Sequence, residues 1–385
     1  MGAIKKNDPE AIFKILASFK GPAVKFGQLI ANVPGILPSN WQAAFLKLQN
    51  KVPSMRGNFV KKRMVAELGE NWEAHFDSFD LNAEFAASIG QIHFCSFQGK
   101  EAVAKLQYPN MDIFIESDFE QITSIVNLIS LVKKPFVFDE AFSELKQSLI
   151  LESDYLNEAQ NMLTFKSILD SDKVVVPVVF QDVLTKKLLV CSKEEGVAIS
   201  EVSQFSSDFK RKAIRNLFHA WFFPFYKHFL IHADPHAGNF LFKENDARLV
   251  LFDYGSVQKF SFEFVQGIKT IRQGLILSDD SILKQGYELL GFKDLNLETI
   301  KLLNSWAKFV CFPILKDEDV LISHDYVDSA KLILKEIFDL ANQSGGIKIP
   351  KSFVLFDRAV IGFGAACVKI NVPFNYFKEL ENILS

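Results

Sequence analysis

The sequence predicts an α+β protein in two lobes, with a helical stretch ahead of them and a second lobe that is mainly α-helical. Three observations lead there. Apolar residues recur at helical spacing over roughly the first 80 residues. Between Phe85 and Gln107 the period changes to alternation on either side of Gly99. From Asp208 onward helical spacing returns, apart from a short hairpin around Leu249 and Leu251. The chain has 385 residues, more than one domain ordinarily holds. The boundaries expected from these shifts are 1–80 for the helical extension, 81–193 for the first lobe and 194–385 for the second.

Taken in order, Ala11 to Phe19 is amphipathic and Gly21-Pro22 breaks it. Ala23 to Val33 begins another helix, which Pro34-Gly35 ends. Ser39 is placed to cap a helix through Trp41, Phe45 and Leu48, closed by Pro53, and a further helix covers Phe59 to Leu68. Lys25 and Gln28 stand three apart, so they share a helix face, and spacing alone makes that face a solvated one. In the alternating stretch Val103 and Lys105 share one strand face while Ala104 and Leu106 share the other. Helices resume over Met111 to Val132 and Asp139 to Leu169, parted by Pro135; in the second, Asp154, Glu158 and Asn161 fall on one face. Two Val-rich strands follow, Val174 to Gln181 and Lys186 to Ser192, and Lys193 to Val197 links the lobes. Leu217 to Ile231 reads as a buried helix, too short and too interrupted by Pro224 and Lys227 to span a membrane.

Composition excludes several classes. Nearly half the residues are apolar and 46 acidic residues face 43 basic ones, a balance that suits a globular enzyme and gives no reason to expect nucleic acid. The four cysteines are far apart with no C-x-x-C spacing, so neither a zinc site nor a disulfide framework is expected, and a reducing cytosol is the expected home. The N-terminus is no secretory signal, because Lys14 cuts its apolar run and no small-residue cleavage site follows.

Chemistry concentrates between Phe229 and Ser256, in FLIHADPHAGNFLFKENDARLVLFDYGS. Asp234 and Asn239 stand five apart, and Asp253 opens an Asp-Tyr-Gly triplet after the hairpin. Protein kinases space a catalytic-loop Asp, a magnesium-holding Asn and a second magnesium Asp in this way. Loops are rich in Asp and Asn for turn reasons, so one pair means little; the second triplet at the right distance makes the pattern specific. Lys105, in A-V-A-K, fits two roles. It is either an edge-strand lysine that discourages aggregation or the lysine that pairs nucleotide phosphates, and the Asp triplet favours the second. Glu158 is then the candidate helix carboxylate that orients it. His236 stands two after Asp234, where protein kinases carry a lysine; it serves either to donate to a phosphate or to stabilise the loop.

These residues, read with four further segments, resemble the UbiB/AarF family of atypical kinases. The segments are KFGQ (Lys25 to Gln28), AASIGQIH (Ala86 to His93), ESDYLNEAQN (Glu152 to Asn161) and HADPHAGN (His232 to Asn239). VAKLQYP (Val103 to Pro109) is similar to the family's lysine strand, and order and spacing agree from about Pro22 to Pro373. The resemblance implies a two-lobed protein-kinase-like fold with an N-terminal K-x-G-Q extension folded over the cleft where a peptide substrate would otherwise lie. Lys25, Gln28, Glu152 and Asp154 are then residues of that cap. It implies ATP or ADP with Mg2+, held by the loop Ala86, Ala87, Ser88, Ile89, Gly90 and Gln91 together with Lys105, Asn239 and Asp253. Two positions depart from the pattern: Phe85 replaces the first alanine of the loop, and Tyr254 stands where Phe is commoner. Alanine in place of glycine makes such a loop stiffer, since φ > 0 costs it roughly 1–2 kcal/mol.

The expected activity is Mg-ATP hydrolysis or phosphoryl transfer, with Asp234 accepting a proton from, or orienting, the attacking hydroxyl or water. Expected partners are the nucleotide, a membrane surface, and quinone or isoprenoid-lipid precursors; the expected location is cytoplasmic, peripheral at the inner membrane face. Two other functions fit the residues: a Ser/Thr protein kinase, and a nucleotide-binding scaffold without turnover. The single glycine of the loop counts against the first, and the intact set Lys105, Asp234, Asn239 and Asp253 against the second.

Overall fold

The computed structural model describes residues 54–86, 89–111, 150–151, 153–341 and 348–385. The helices expected before Pro53 and most of those expected over Met111–Val132 and Asp139–Leu169 lie outside the described residues, as do Lys25, Gln28, Ala87, Ser88 and Glu152. The chain divides into two compact units, one formed by residues up to Leu163 with Pro177–Glu194, the other by Thr164–Val176 with Glu195–Ser385.

In the first unit, helix α1 (Gly57–Leu68) buries Val60 and Met64, four apart, and stops at Gly69, whose φ is 85°. Strands β1 (Ser78–Phe79), β2 (Phe85–Ala86), β3 (Gly90–Phe97), β4 (Lys100–Gln107) and, after a helix, β6 (Leu188–Ser192) form one sheet in the order β1-β3-β4-β6, with β2 also on β3. The expected hairpin is β3–β4, turned at Gln98 and Gly99, both at positive φ (52° and 71°), as tight two-residue turns require. Alternation sets the layers: Ala102, Ala104 and Leu106 are fully buried and pack with Trp72, Phe97, Val183, Leu188 and Val190. Arg63 on α1 donates through Nε to the Gln107 carbonyl at 3.2 Å, which fixes the helix to the end of β4.

Helix α2 (Tyr155–Ile168) is the part of the helix expected over Asp139–Leu169 that follows a turn at Ser153; residues 150–151, ahead of that turn, are helical as well. Asp154 is not on its face with Glu158. It precedes the helix, and its Oδ1 accepts from the Leu156 amide at 3.1 Å. An aspartate ending a turn and answering an unpaired first-turn amide is an N-cap, which outweighs the i,i+4 spacing. The strand expected from Val174 to Gln181 is also shorter. Only β5 (Val174–Val175) forms, and Pro177 stands two residues beyond it, lacking the N–H a ladder needs.

The second unit holds β5 in a parallel pairing with β10 (Leu249–Leu251), in a sheet of order β5-β10-β9-β7 completed by β9 (Phe240–Phe242) and β7 (Val197–Ala198). A two-stranded ribbon joins β8 (Leu230–His232) to β11 (Val257–Lys259). Helices make up the rest: α3 (Ser207–His228), α4 (Phe262–Leu277), α5 (Asp280–Leu289), α6 (Leu297–Cys311), α7 (His324–Ala341), α8 (Lys351–Ile370) and α9 (Tyr376–Leu384). Side chains of Ser206, Ser261, Asp279, Asn296 and Asn375 accept first-turn amides and so fix where five of these helices start. The abundance of phenylalanine has its use here. Phe225 of α3 meets Phe356 of α8 at 4.9 Å and Phe260 at 5.4 Å, and Phe260 meets Phe264 of α4 at 4.9 Å. These edge and tilted ring contacts seat α3, α4 and α8 on one core, directly behind the strand that leads into Ala233. Among the described residues no helix is long and apolar enough to cross a membrane.

Candidate functional site

The chemistry-bearing residues form two groups, one in each unit. In the first, Lys105 lies third from the end of β4, which β3 pairs on one side and β6 on the other. Its strand is therefore not an edge, and the edge-strand role falls away. Lys105 Nζ donates to both Glu158 oxygens, at 2.9 and 2.8 Å, and sits 5.2 Å from the centre of the Tyr155 ring. Glu158, in the first turn of α2, has a fully buried side chain, while Lys105 keeps 16% of its own exposed. Removed from water, the carboxylate holds the ammonium in one place.

The loop before Lys105 is sorted by burial. Ala86 and Phe85 are exposed on β2, whereas Ile89 and Gln91 are buried. Gly90 opens β3 where a Cβ would stand 2.6 Å from the Leu106 carbonyl oxygen and 2.7 Å from Tyr155 Oη, so only glycine fits. The Gln91 amide is spent inside the unit. Its Oε1 accepts from the Met55 amide at 2.6 Å and its Nε2 donates to His93 Nε2 at 2.8 Å. His93 Nδ1–H then donates to the Asp80 carbonyl at 2.8 Å, and burial lowers the imidazole pKa, so the ring is neutral. The Gln91 backbone is paired as well, with Leu106 of β4 on one side and Ala86 of β2 on the other.

The second group is a pair of loops. The Asn239 amide donates through Nδ2 to the Asp234 carbonyl at 3.0 Å and to its Oδ2 at 3.1 Å. That orients the amide and leaves its carbonyl oxygen as the end turned from Asp234. The Phe252 amide donates to the Asn239 carbonyl at 3.2 Å, so Asn239 and Asp253 stand one residue apart across the two loops. Asp253 Oδ1 accepts from the Gly255 amide at 3.0 Å. His232, fully buried at the end of β8, donates through Nε2 to the Asp253 carbonyl and ties the loops together. Tyr254 lies inside, its ring 5.3 Å from Phe165 and 5.9 Å from His232, and burial pushes its hydroxyl well above the usual range. Tyrosine thus fills the buried position that the triplet gives to an aromatic residue. His236 Nδ1 accepts from the Gly238 amide at 3.0 Å, so the imidazole is turned into its own loop.

The Asp253 carboxylate and the Asn239 side-chain oxygen, Oδ1, are hard oxygen donors of the kind Mg2+ takes. Among the described residues no group of three or more His, Cys, Asp and Glu is placed to hold a metal alone. Two protein oxygens suit an ion that takes the rest of its shell from water and nucleotide phosphates. The donor set therefore fits magnesium carried with a nucleotide.

Two residues of this group escaped the sequence reading. His232 is one, and its place at the end of an apolar strand is the signal in the sequence that marks it. Arg358 of α8 donates through Nη2 to Asp234 Oδ1 at 3.3 Å, and nothing in its surroundings along the chain announces that.

A sheet carrying a lysine–glutamate pair, followed by a helical region with an Asp/Asn loop and an Asp-Tyr-Gly loop, defines a protein-kinase-like domain. The chain belongs to the ABC1 atypical kinase-like family, whose family model matches residues 47–286. It is similar to the atypical kinase COQ8, mitochondrial, of Saccharomyces cerevisiae, at 28% identity over 65% of this chain and 50% of that one. It is likewise similar to the probable serine/threonine-protein kinase abkA of Dictyostelium discoideum, at 28% identity over 73% of this chain and 52% of that one. The chain thus spans about half the length of these curated relatives. Its fold also matches that of Rv3197 from Mycobacterium tuberculosis, solved with erythromycin, at a TM-score of 0.68 and 20% identity, over 100% of this chain and 97% of the other.

Proposed function

We propose that this chain binds Mg-ATP and either hydrolyses it or passes its terminal phosphoryl group to a small molecule or lipid-pathway component. The observation that carries the proposal is the two-pronged contact of Lys105 with buried Glu158. A lysine on an inner strand, held in one place by a carboxylate that water does not reach and itself 16% exposed, is a positioned ammonium of the kind that pairs with nucleotide phosphates. In this reading Lys105 steadies the nucleotide's α and β phosphates, with Ala86 to Gln91 covering them, and Asn239 and Asp253 hold magnesium. The metal, when bound, supplies charge neutralisation at the phosphates. Asp234 accepts a proton from the attacking hydroxyl or water, and its hydrogen bond from Asn239 keeps its carboxylate in one orientation. Lys25, Gln28, Glu152 and Asp154 are proposed as cap residues on the strength of the motif resemblance. A part in quinone or isoprenoid-lipid metabolism, at the cytoplasmic face of a membrane, belongs to the same proposal.

The test is nucleotide turnover by the full chain and by Asp234→Asn, Asp253→Asn and Lys105→Ala, with and without anionic vesicles. Turnover by the parent should fall about 100-fold or more in Asp234→Asn while Mg-nucleotide affinity persists. Asp253→Asn and Lys105→Ala should lose affinity as well. Binding without turnover in the parent would favour a scaffold, and robust peptide phosphorylation would favour a Ser/Thr protein kinase. Absence of nucleotide binding sinks all three.

A further inference from the structure

We propose that Arg358 is the residue that positions Asp234, and that α8 brings it to the loop through a contact that only glycine at 362 permits. The proposal rests on Asp234 acting as the base. The two oxygens of that carboxylate are held from two sides. Oδ2 accepts from Asn239, five residues away in the same loop. Oδ1 accepts from Arg358, 124 residues further along the chain. The ion pair is largely shielded, its side chains 23% and 25% exposed.

Gly362 follows Arg358 by one helical turn and so lies on the same face of α8. A Cβ there would stand 1.9 Å from Pro235 Cγ and 2.8 Å from Pro235 Cβ. A proline ring is closed on its backbone and cannot rotate clear. The helix backbone and Pro235 are thus as close as they can come, and two contacts one turn apart fix α8 against consecutive loop residues. The loop provides no equivalent of its own, because His236 is turned back onto the Gly238 amide. Arg358 is a cation set beside Asp234 from outside the loop. A carboxylate has about four lone-pair directions. With one oxygen held by the guanidinium and the other by the Asn239 amide, rotation about Cβ–Cγ is stopped and the remaining lone pairs keep one aim. Arg358 also lies beyond the 47–286 segment that the family model matches.

The experiment uses the full chain with Arg358→Gln, Arg358→Lys, Gly362→Ala, Asp234→Asn and the double variant Arg358→Gln with Asp234→Asn. Three readouts are taken: Mg-ATP turnover, Mg-ADP affinity, and amide hydrogen exchange of residues 231–240 without nucleotide. Arg358→Gln and Gly362→Ala should lower kcat about 10- to 100-fold, as small misplacements of a reacting group do, with affinity within about twofold. Arg358→Lys should recover part of the loss, and exchange over 231–240 should quicken about tenfold in the first two variants. In the Asp234→Asn background Arg358→Gln should cost less than about twofold, because its effect passes through the carboxylate. The same fold loss in both backgrounds overturns the proposal, as does unchanged exchange in both Arg358→Gln and Gly362→Ala. If the parent binds nucleotide but does not turn it over, Asp234 is no base and the Proposed function fails in its catalytic part; exchange then decides whether Arg358 braces the loop. Should Arg358→Gln melt early, Arg358→Lys and Gly362→Ala carry the same comparison.

Discussion

The Lys105 ammonium stands 2.8 and 2.9 Å from the two oxygens of a carboxylate that is 0% exposed. Such a pair is costly to break from one side only. Lys105→Met should destabilise the first unit by about 3–5 kcal/mol, since it leaves the Glu158 charge buried without a counterion. Glu158→Gln should cost less, because Lys105 retains a route to solvent. The double variant should be more stable than the sum of the two losses predicts, which urea unfolding of the four proteins would show. Additive losses would mean that the contact contributes no coupling. At this scale the sequence was informative where a residue type had a narrow use. The lysine of an A-V-A-K strand and a carboxylate in the helical stretch after it named both partners of this contact, although the shared face with Asp154 did not hold. Arg358 was invisible for the opposite reason. An isolated arginine in FVLFDRAVIGFG has no periodic signature, and its partner is fixed only by how α8 packs on the loop.

Helix α8 carries another acid next to that arginine. Asp357 is buried, accepts from Trp306 Nε1 at 2.6 Å, and burial raises its carboxyl well above the usual carboxylate range against the opposing hydrogen bond. In the unfolded chain the same group ionises near 3.9. Above that pH the folded state holds a proton that the unfolded state has released. The contribution to stability is therefore full below the unfolded pKa and declines as pH rises toward the folded one. Asp357→Asn cannot ionise. Its melting temperature relative to the parent should climb steadily from pH 5 to pH 8, whereas a difference that stays flat would clear the carboxyl of any role. Elements were legible where they had local punctuation. The β3–β4 hairpin showed in its alternation and glycine, and α3 in its apolar run. The interruption just ahead of α2 was not legible because Asp154 satisfies two patterns at once, and the cap wins. The strand beyond Val175 was overextended because valine content outweighed the missing donor of Pro177.

Across the whole molecule the cysteines offer a reporter of each unit. All four are buried, and burial pushes the thiols of Cys95, Cys191, Cys311 and Cys367 up to about 12. The thiolate is the reactive form, so a disulfide reagent at pH 8 should label none of them in the native protein. In rising denaturant the labels should appear in pairs, Cys95 with Cys191 and Cys311 with Cys367, because each pair belongs to one compact unit. Rapid native labelling at any one of them would contradict the burial described.

The neighbours of Arg358 carry a consequence for genetics. Trp306 holds Asp357, the residue before it, and Phe353 lies 4.7 Å from the Trp306 ring. A lesion at either position would tilt the helix that grips the loop, and a screen scored by phenotype alone would file it with lesions of Asp234. Retention on a nucleotide resin would separate damaged architects from damaged workers: both classes stay bound, but only the distant ones regain output when the protein is stabilised by cooling or by a compatible osmolyte.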